Sequence, residues 1–269
     1  MSAELPCLPH SWKRRYPFRT GTTSFIYPAG YQENVTRLGA YLDEIELLMF
    51  ESRPPSRPTE RLARDLLELG RAHEVVYNVH LPTDLPLTHP DRSVRSRACR
   101  LLQEFITTLR PLSPTAYVLH LAPPDRVRPG RDLRDWQSIA EETLGWILDT
   151  GITGRRLALE NLFFPFSWLA PLVTAFDLGV CLDTGHLALH SGDLEKFLKD
   201  HDPRITIAHL HGLRDGQDHG PLSGLPSSYQ ALLSDWLETF TGSVSLEVFG
   251  FEPLLASLQW LDRMMATVG

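Results

Sequence analysis

Ionisable side chains with the chemistry of metal ligands lie near the ends of several short apolar stretches. His80 lies near the end of VVYNVHL and His120 near the end of AYVLHLA, while Glu160 interrupts RLALENL and Glu247 interrupts SVSLEVF. A single histidine on a strand is more often a hydrogen-bonded core residue. Carboxylates, however, are almost never fully buried without a partner. Because such residues recur at the same end of successive stretches, they indicate one shared site.

The second half of the chain adds further ligand types. The DTGH motif contains Asp183 and His186. The stretch ITIAHLH contains His209 and His211, which are two residues apart and therefore share one face of a strand. The stretch RDGQDHGP follows closely and adds acidic residues and a histidine. Histidine and carboxylate without thiolate are typical ligands for Zn, Mn, Fe or Co.

The candidate metal ligands are too many for a single ion. They are His80, His120, Glu160, Asp183, His186, His209, Asp218, His219 and Glu247. Such a set suggests about two or three divalent metal ions that share bridging carboxylates, an arrangement that favours hydrolysis of phosphate esters. Glu160 and Glu247 are the candidate catalytic residues. We expect Glu160 to bridge the metals and Glu247 to orient the nucleophile while remaining a ligand.

The elements that must position these residues follow a repeat of about 30 residues, the length of a βα unit. Near-continuous apolar runs, typical of strands buried on both faces of a parallel sheet, predict strands at 20–27, 44–50, 75–81, 116–122, 156–162, 180–186, 205–211 and 243–249. Amphipathic segments between or after them predict helices at 60–72, 91–110, 132–149 and 252–266. The pattern predicts an α/β protein, a single (β/α)8 TIM barrel over residues 20–269 preceded by an N-terminal arm, residues 1–19.

A barrel would gather the candidate ligands in one place. Its strands point alternate side chains inward, and the functional site lies at the mouth formed by their C-terminal ends. An open, doubly wound sheet is the alternative fold. That fold would need a glycine-rich phosphate loop after the first strand, and GTTSFIYPAG contains no GxGxxG motif.

Composition and charge narrow the classes of function. The 269-residue chain is 42% hydrophobic with a net charge of −7, which argues against binding to a nucleic acid polymer and favours a small-molecule substrate. No apolar run approaches the roughly 18 residues of a membrane span, and the basic N-terminus lacks the apolar segment of a secretory signal. Cys7, Cys99 and Cys181 form no CxxC pair, so we expect no disulfide framework and a cytoplasmic protein.

These residues resemble the xylose-isomerase-like barrel superfamily, which includes sugar-phosphate isomerases and epimerases and the apurinic endonuclease family. The resemblance covers roughly residues 20–265 and is most specific at His80, His120, Glu160-Asn161, the DTGH motif at 183–186, His209 and Glu247.

The endonuclease-like branch implies three metal ions. The first would be held by His80, His120 and Glu160, the second by Glu160, Asp183, His209 and Glu247, and the third by His186, Asp218 and His219. That family separates the last aspartate and histidine by one residue, whereas Asp218 and His219 are adjacent. Asp215 is therefore an alternative ligand for the third ion.

Three stretches are similar to a bacterial subgroup of this superfamily, the cobamide-remodelling phosphodiesterases. They are GTTSFIYPAGYQENV, EIELLMFES and HLHGLRDGQDH. Those enzymes hydrolyse the phosphodiester of the nucleotide loop of a cobamide, which releases the lower-ligand nucleoside and leaves cobinamide phosphate. The resemblance implies a cobamide as the small-molecule substrate. The candidate substrate-binding residues are Phe25, Tyr27, Phe164, His211 and Arg214.

Two other functions fit part of the pattern. A sugar-phosphate isomerase or epimerase needs one divalent metal and two acid/base groups. That function leaves His120 and His186 unexplained, and this surplus of ligands favours hydrolysis. A non-catalytic metal sensor would need a filled coordination sphere without an exchangeable water. The sequence selects neither the metal nor the oligomeric state.

Overall fold

The structure, a computed structural model, describes residues 5–124 and 127–266, so the ends of the predicted arm and of the predicted barrel (1–4 and 267–269) lie outside it. Within the described residues, eight parallel strands close into a barrel, which confirms the predicted TIM barrel. The strands are β1 (Arg19–Thr23), β2 (Glu44–Leu48), β3 (Val76–His80), β4 (Tyr117–Leu119), β5 (Leu157–Glu160), β6 (Gly179–Asp183), β7 (Ile205–Leu210) and β10 (Ser243–Leu246). Pairing of β10 with β1 closes the ring.

Helices connect the strands on the outside of the barrel. They are α1 (Tyr31–Leu38), α2 (Glu60–His73), α3 (Arg92–Leu109), α4 (Arg131–Leu148), α5 (Ala170–Ala175), α6 (Thr184–Leu189), α7 (Leu194–His201), α8 (Ser227–Leu237) and α9 (Phe251–Ala266). Side-chain caps fix some of the helix starts: Thr59 Oγ1 accepts the N–H of Leu62 at 3.1 Å, and Asp91 Oδ1 accepts that of Ser93 at 2.7 Å. None of the helices in the described ranges has the length and apolar character needed to cross a membrane.

The observed strands end earlier than the predicted stretches. β1 ends at Thr23, so Phe25 and Tyr27 lie in the loop that follows it, whereas the apolar pattern extends to Tyr27. His120 and Glu247 each directly follow a barrel strand. The apolar pattern continues past the last ladder hydrogen bond because the loops at the mouth also pack inward.

The loop after β7 contains a β-hairpin that was not predicted. Strand β8 (Gly212–Arg214) pairs antiparallel with β9 (Gln217–Gly220). Asp215 and Gly216 form the turn with φ values of 54° and 76°, and positive φ at both central residues is the preference of Asp-Gly hairpin turns. The dipeptide was therefore a usable sequence signal. The hairpin carries Asp218 and His219 back toward the barrel mouth.

The interior of the barrel is apolar on one side and polar on the other. Small apolar side chains on β4 to β7 or directly beside them form a buried cluster, namely Ala116, Val118, Ala158, Cys181 and Ile207. On β2 and β10 the buried polar residues Glu44, Glu46, Ser243 and Ser245 alternate with apolar ones. Buried carboxylates require partners. One of them, Glu46, finds its partner in the candidate site described below.

The described part of the arm, residues 5–18, packs against the barrel. Trp12 is fully buried, and its Nε1 donates to Asp262 Oδ1 of α9 at 3.0 Å. The backbone N–H of Arg14 donates to Asp43 Oδ1 at 3.0 Å, one residue before β2. These contacts tie the arm to the first and last βα units.

Candidate metal centre

Four buried side chains at or directly after the ends of β5, β6, β7 and β10 form the middle of the site. Glu160, Asp183, His209 and Glu247 each place a ligand atom within 4.8 Å of the others. His209 Nδ1 lies 3.1 Å from Glu247 Oε2 and 3.8 Å from Glu160 Oε2. Among the described residues, neither His209 Nδ1 nor Glu247 Oε2 has a hydrogen-bond partner. Buried, convergent nitrogen and oxygen atoms without partners fit a divalent cation, which would satisfy them.

Glu160 presents its two carboxylate oxygens to different histidines. Its Oε2 lies 2.9 Å from His120 Nε2 and 3.3 Å from His80 Nε2. Its Oε1 lies 3.1 Å from His186 Nδ1. Barrel closure produces this arrangement, because β3, β4 and β5 are neighbours that end at the same side. Because one oxygen of this carboxylate faces His80 and His120 and the other faces His186, the carboxylate is suited to bridge two ions.

A third group lies at the rim of the mouth. Asp218 Oδ2 is 3.7 Å from His186 Nε2 and 3.8 Å from His219 Nε2. Asp215, the alternative ligand, lies at the hairpin turn with its side chain 93% exposed and 3.9 Å from Arg214. The structure therefore brings Asp218 into the cluster and leaves Asp215 outside it.

A neutral histidine can bind a metal only through the ring nitrogen that carries no proton. The partner of the other ring nitrogen, the one that faces away from the cluster, shows where the proton lies. His80 Nδ1 lies 3.1 Å from the carbonyl oxygen of Leu81, and His219 Nδ1 lies 3.1 Å from that of Glu247. A carbonyl oxygen only accepts, so each Nδ1 carries the proton and each Nε2 keeps a lone pair that faces the cluster. His186 follows the same rule, with Nδ1 3.3 Å from the carbonyl oxygen of Asn161.

His211 has the opposite arrangement. The backbone N–H of His219 donates to His211 Nδ1 at 2.8 Å, so the ring proton is on Nε2, which donates to the Asp183 carboxylate at 3.0 Å. His211 has no exposed surface. In this structure the ring is enclosed and holds Asp183 in position, and contact of His211 with the substrate stays a prediction.

Glu46 supports His209 from the interior of the barrel. His209 Nε2 donates to Glu46 Oε1 at 2.8 Å, and Ser245 Oγ donates to Glu46 Oε2 at 2.6 Å. All three residues are fully buried. The contact directs the Nε2 proton of His209 toward Glu46 and leaves Nδ1 for the centre, as carboxylates do behind metal-binding histidines. Glu46 was missed by the sequence-based prediction, although it interrupts the apolar run EIELLMF much as Glu160 interrupts its own strand.

The charges of the site shift the pKa values of its members. Burial alone would lower the pKa of His186, but the hydrogen bond to Glu160 and the charge of Asp183 raise it to about 10. Burial would raise the pKa of Glu160, but the charge of His120 and hydrogen bonds from His120 and His186 hold it well below its usual range. Glu247 behaves in the same way: burial opposes ionisation, and the nearby charge of His209 lowers its pKa. The two glutamates are therefore ionised at neutral pH, which favours cation binding.

The DTGH motif forms the start of α6 and fixes several site residues at once. Asp183 Oδ1 accepts the N–H of His186 at 2.6 Å and so caps the helix. The side chain of Asn161 accepts from the N–H of Asp183 at 2.7 Å and donates to its carbonyl oxygen at 2.9 Å. Gly185 packs directly on His211, because a Cβ at this position would lie 2.1 Å from His211 Nδ1. The motif therefore needs a glycine for close approach of the helix to the ring.

The remaining predicted substrate contacts lie in different surroundings. Tyr27 is only 3% exposed, and its hydroxyl donates to the carbonyl oxygen of Pro6 at 2.7 Å; its contact with the substrate stays a prediction. Phe25 is 42% exposed at the mouth. Phe164 lines a cavity next to His186. Arg214 is an exposed residue of the hairpin. Substrate contacts by Phe25, Phe164 and Arg214 stay predictions.

Two phenylalanines that were not predicted extend the exposed apolar surface at the mouth. Phe25, Phe50 and Phe249 follow β1, β2 and β10, and we call them the mouth aromatic surface. The ring centroid of Phe50 lies 6.1 Å from that of Phe25 and 6.3 Å from that of Phe249. Phe50 is also 5.8 Å from His80, and Phe249 is 5.0 Å from His219. The sequence does not separate these residues from core aromatics, because each continues an apolar run.

The fold and the position of the cluster define the class of protein. The chain belongs to the xylose isomerase-like TIM barrel family, whose model matches residues 34–264. The matched range includes every candidate metal ligand named above. Among curated proteins, none matches this sequence.

Solved structures with different functions share this fold. A D-tagatose 3-epimerase-like protein is 20% identical with a TM-score of 0.73, and the match covers 93% of this chain and 98% of that one. Endonuclease IV from Thermus thermophilus is 20% identical with a TM-score of 0.69, covering 91% and 99%. The apo form of 3-keto-D-glucoside 4-epimerase from E. coli is 14% identical with a TM-score of 0.69, covering 91% and 99%. At these identities the likeness establishes the fold and does not choose between the activities.

Proposed function

We propose that this chain is a metal-dependent phosphodiesterase that hydrolyses the nucleotide-loop phosphodiester of cobamides to cobinamide phosphate and a nucleoside. The observation that supports hydrolysis is the third donor group, His186, Asp218 and His219, beside a buried centre that already has four ligands. A one-metal reaction has no use for this surplus. The choice of a cobamide rests on the sequence resemblance.

The residues that would hold the ions fall into three sets. His80, His120 and Glu160 form one, Glu160, Asp183, His209 and Glu247 form the second, and His186, Asp218 and His219 form the third. Divalent ions supply Lewis acidity in such sites, since they lower the pKa of water and offset charge at phosphorus. The sequence does not choose among Zn, Mn, Fe and Co, because all of them accept histidine and carboxylate.

The protein's own residues position the reactants. Hydrolysis forms a bond between the oxygen of water and phosphorus, breaks the bond from phosphorus to the sugar oxygen, and transfers a proton to that oxygen. Glu247, whose Oε2 has no hydrogen-bond partner in the described part of the chain, orients the water as a hydrogen-bond acceptor. Glu160 holds the histidines on its two sides in fixed positions. A cation held by the rim group would offset negative charge that develops on the leaving oxygen.

The net charge agrees with a small substrate. A net charge of −7 disfavours binding to nucleic acid polymers, whereas the divalent ions that the centre would hold could offset the charge of a single phosphodiester. We therefore propose that the substrate is a small molecule.

A one-metal sugar-phosphate epimerase or isomerase is the second candidate. The group of Glu160, Asp183, His209 and Glu247 supplies a metal site with two carboxylates that could exchange protons with a carbon beside a carbonyl. The similarity to structures named as epimerases keeps this alternative open. It predicts that removal of the rim group leaves the reaction intact.

A direct assay tests the proposal. We would incubate the protein with a cobamide after reconstitution with Zn, Mn, Fe(II) or Co and analyse the products by mass spectrometry. We expect cobinamide phosphate and free nucleoside with at least one metal, loss of both products after chelation, and loss of turnover and of bound metal in Glu160→Gln. Glu60→Gln, which alters an exposed ion pair with Arg64 on the outer helix α2, serves as the control. Absence of both products with every metal, together with epimerisation of a ketose phosphate, would overturn the proposal.

A further inference from the structure

A cavity of about 470 Å³ adjoins the rim of the metal centre. It lies between the loop after β5, which carries Phe163, Phe164 and Phe166, and helices α6 and α7, which carry Leu187 and Phe197. Asn161 and His186 form the side of the cavity that borders the metal centre. Its volume lies within the roughly 300–1,000 Å³ of small-molecule sites.

The lining of the cavity is suited to a planar, apolar group. The rings of Phe163 and Phe164 are 6.3 Å apart at their centroids, and those of Phe166 and Phe197 are 5.2 Å apart. Phe163 is 66% exposed, so its ring is free to cover a ligand. Aromatic side chains with exposed faces are the usual platform on which bases stack.

The charges around the cavity are already paired, which argues for a neutral occupant. Of the lysines and arginines in the described residues, only Lys196 lines the cavity. Its Nζ lies 2.5 Å from Asp200 Oδ2. Asp193 accepts the backbone N–H of Lys196 at 2.9 Å and caps α7. No free cation therefore remains among the described lining lysines and arginines to hold a phosphate.

The mouth aromatic surface lies on the other side of the centre and has a different shape. It follows β1, β2 and β10, whereas the cavity follows β5 and β6, on the far side of the closed barrel. Phe25 and Phe249 are each 42% exposed on this open surface, whereas the cavity is bounded by the loop after β5 on one side and by helices α6 and α7 on the other. Because it is open, this surface can hold a ring system that is too large for the cavity.

From these observations we propose that the cavity binds the neutral, planar aromatic nucleoside that leaves the phosphodiester, while the mouth aromatic surface binds the larger corrin part. This inference rests on the proposed phosphodiesterase function. The phosphodiester would then span the metal centre between the two surfaces. The sugar oxygen that takes up the proton would lie beside His186, at the border between cavity and centre.

Binding of the free product tests this assignment without relying on turnover. Isothermal titration of the metal-loaded protein with benzimidazole riboside should show binding that weakens by at least about fivefold in Phe163→Ala and in Phe164→Leu. Phe25→Ala and Phe249→Ala are the matched controls from the opposite surface, and they should leave nucleoside binding unchanged. The 5′-monophosphate of the same nucleoside should bind no more tightly than the nucleoside.

The outcomes separate this inference from the proposed function. If cobamide is hydrolysed but nucleoside binding is unchanged in both cavity variants, the cavity assignment fails and the function stands. If cobamide is not hydrolysed but the nucleoside binds with the expected dependence on Phe163 and Phe164, the function fails while the binding site stands. Equal losses in cavity and control variants, or tighter binding of the monophosphate, also overturn the assignment. Because Phe163 is largely exposed, its substitution should leave folding intact.

Discussion

The backbone N–H of His219 donates to Nδ1 of His211 at 2.8 Å, and this hydrogen bond connects the rim of the site to its buried centre. It leaves His211 with its proton on Nε2, where it donates to Asp183. The position of the hairpin is thereby coupled to the orientation of a candidate ligand on β6. Disturbing the His211 ring should affect metal binding even though both of its ring nitrogens are already hydrogen-bonded.

Gly185→Ala tests that coupling. Its Cβ would lie 2.1 Å from His211 Nδ1, so the ring or helix α6 must move. We expect a loss of about 1–3 kcal/mol in the free energy of unfolding from overpacking and weaker metal binding, measured by denaturation and by competition with a metal-sensitive dye. Gly145→Ala is the matched control: Gly145 also lies in a helix, but a Cβ there meets nothing within 4 Å. It should raise stability by about 0.5–1 kcal/mol. An unchanged metal affinity in Gly185→Ala would contradict the coupling.

Glu46→Gln tests the support of His209. The substitution removes the charge that strengthens the hydrogen bond from His209 Nε2 at 2.8 Å. We expect metal affinity to fall by about 10- to 100-fold, as for other residues behind metal-binding histidines, while the far-UV circular dichroism spectrum is retained. Glu44→Gln is the control, because Glu44 is buried on the same strand but pairs with Thr115. Equal metal affinities in the two variants would show that Glu46 has no positioning role.

Asp218→Asn and Asp215→Asn together test the third group. Asp218 Oδ2 lies 3.7 Å from His186 Nε2, whereas Asp215 is exposed at the hairpin turn. We expect Asp218→Asn to lower the metal content of the reconstituted protein by about one ion per chain. Asp215→Asn should leave the content unchanged. The reverse pattern, measured by plasma mass spectrometry, would assign the ligand to Asp215.

The stability of the chelated protein should depend on pH in a direction that the site predicts. The pKa of His186 is raised from 6.5 to about 10, so the stability it contributes is complete below 6.5 and is lost as pH rises toward 10. The pKa of Glu160 is lowered from 4.5, so its contribution is present above 4.5 and is lost as pH falls. We expect the midpoint of thermal unfolding to be highest between pH 4.5 and pH 6.5, where both contributions are complete.

Comparison with His186→Gln isolates the alkaline part of that profile. The variant should lose less stability than the wild-type protein between pH 6.5 and pH 10. Identical slopes would mean that His186 does not carry the effect. Saturating metal should flatten the alkaline part in the wild-type protein, because metal displaces the histidine protons.

The candidate metal ligands could be predicted from the sequence because all strands of a parallel barrel run in the same direction, so that their C-terminal ends lie at the same mouth. Each of His80, His120, Glu160, Asp183 and His209 lies in the second half of its predicted strand or at its midpoint, and at or next to the end of the observed strand, and all such ends meet at one mouth. Four of the nine described α-helices were given bounds from the sequence. The observed ends of α2, α3, α4 and α9 lie within one residue of the amphipathic segments, because caps and apolar spacing are local features.

What a side chain does within the site depends on partners that are distant in the chain. His211 and His219 are both histidines beside the same strand end, yet one ring nitrogen of His211 meets an N–H and one of His219 meets a carbonyl. Glu46 meets His209 across 163 positions of the chain. Such contacts follow from barrel closure and cannot be derived from spacing along one strand.

The ionisable residues near the strand ends, and the barrel that gathers them, were therefore determined by the sequence alone, since strand direction and side-chain alternation are local properties. The tertiary structure decided which of them face the centre. It enclosed His211 and Tyr27, brought in Asp218 rather than Asp215, and placed Glu46 behind His209. The physical reason is that burial and ring protonation depend on packing between elements from different parts of the chain.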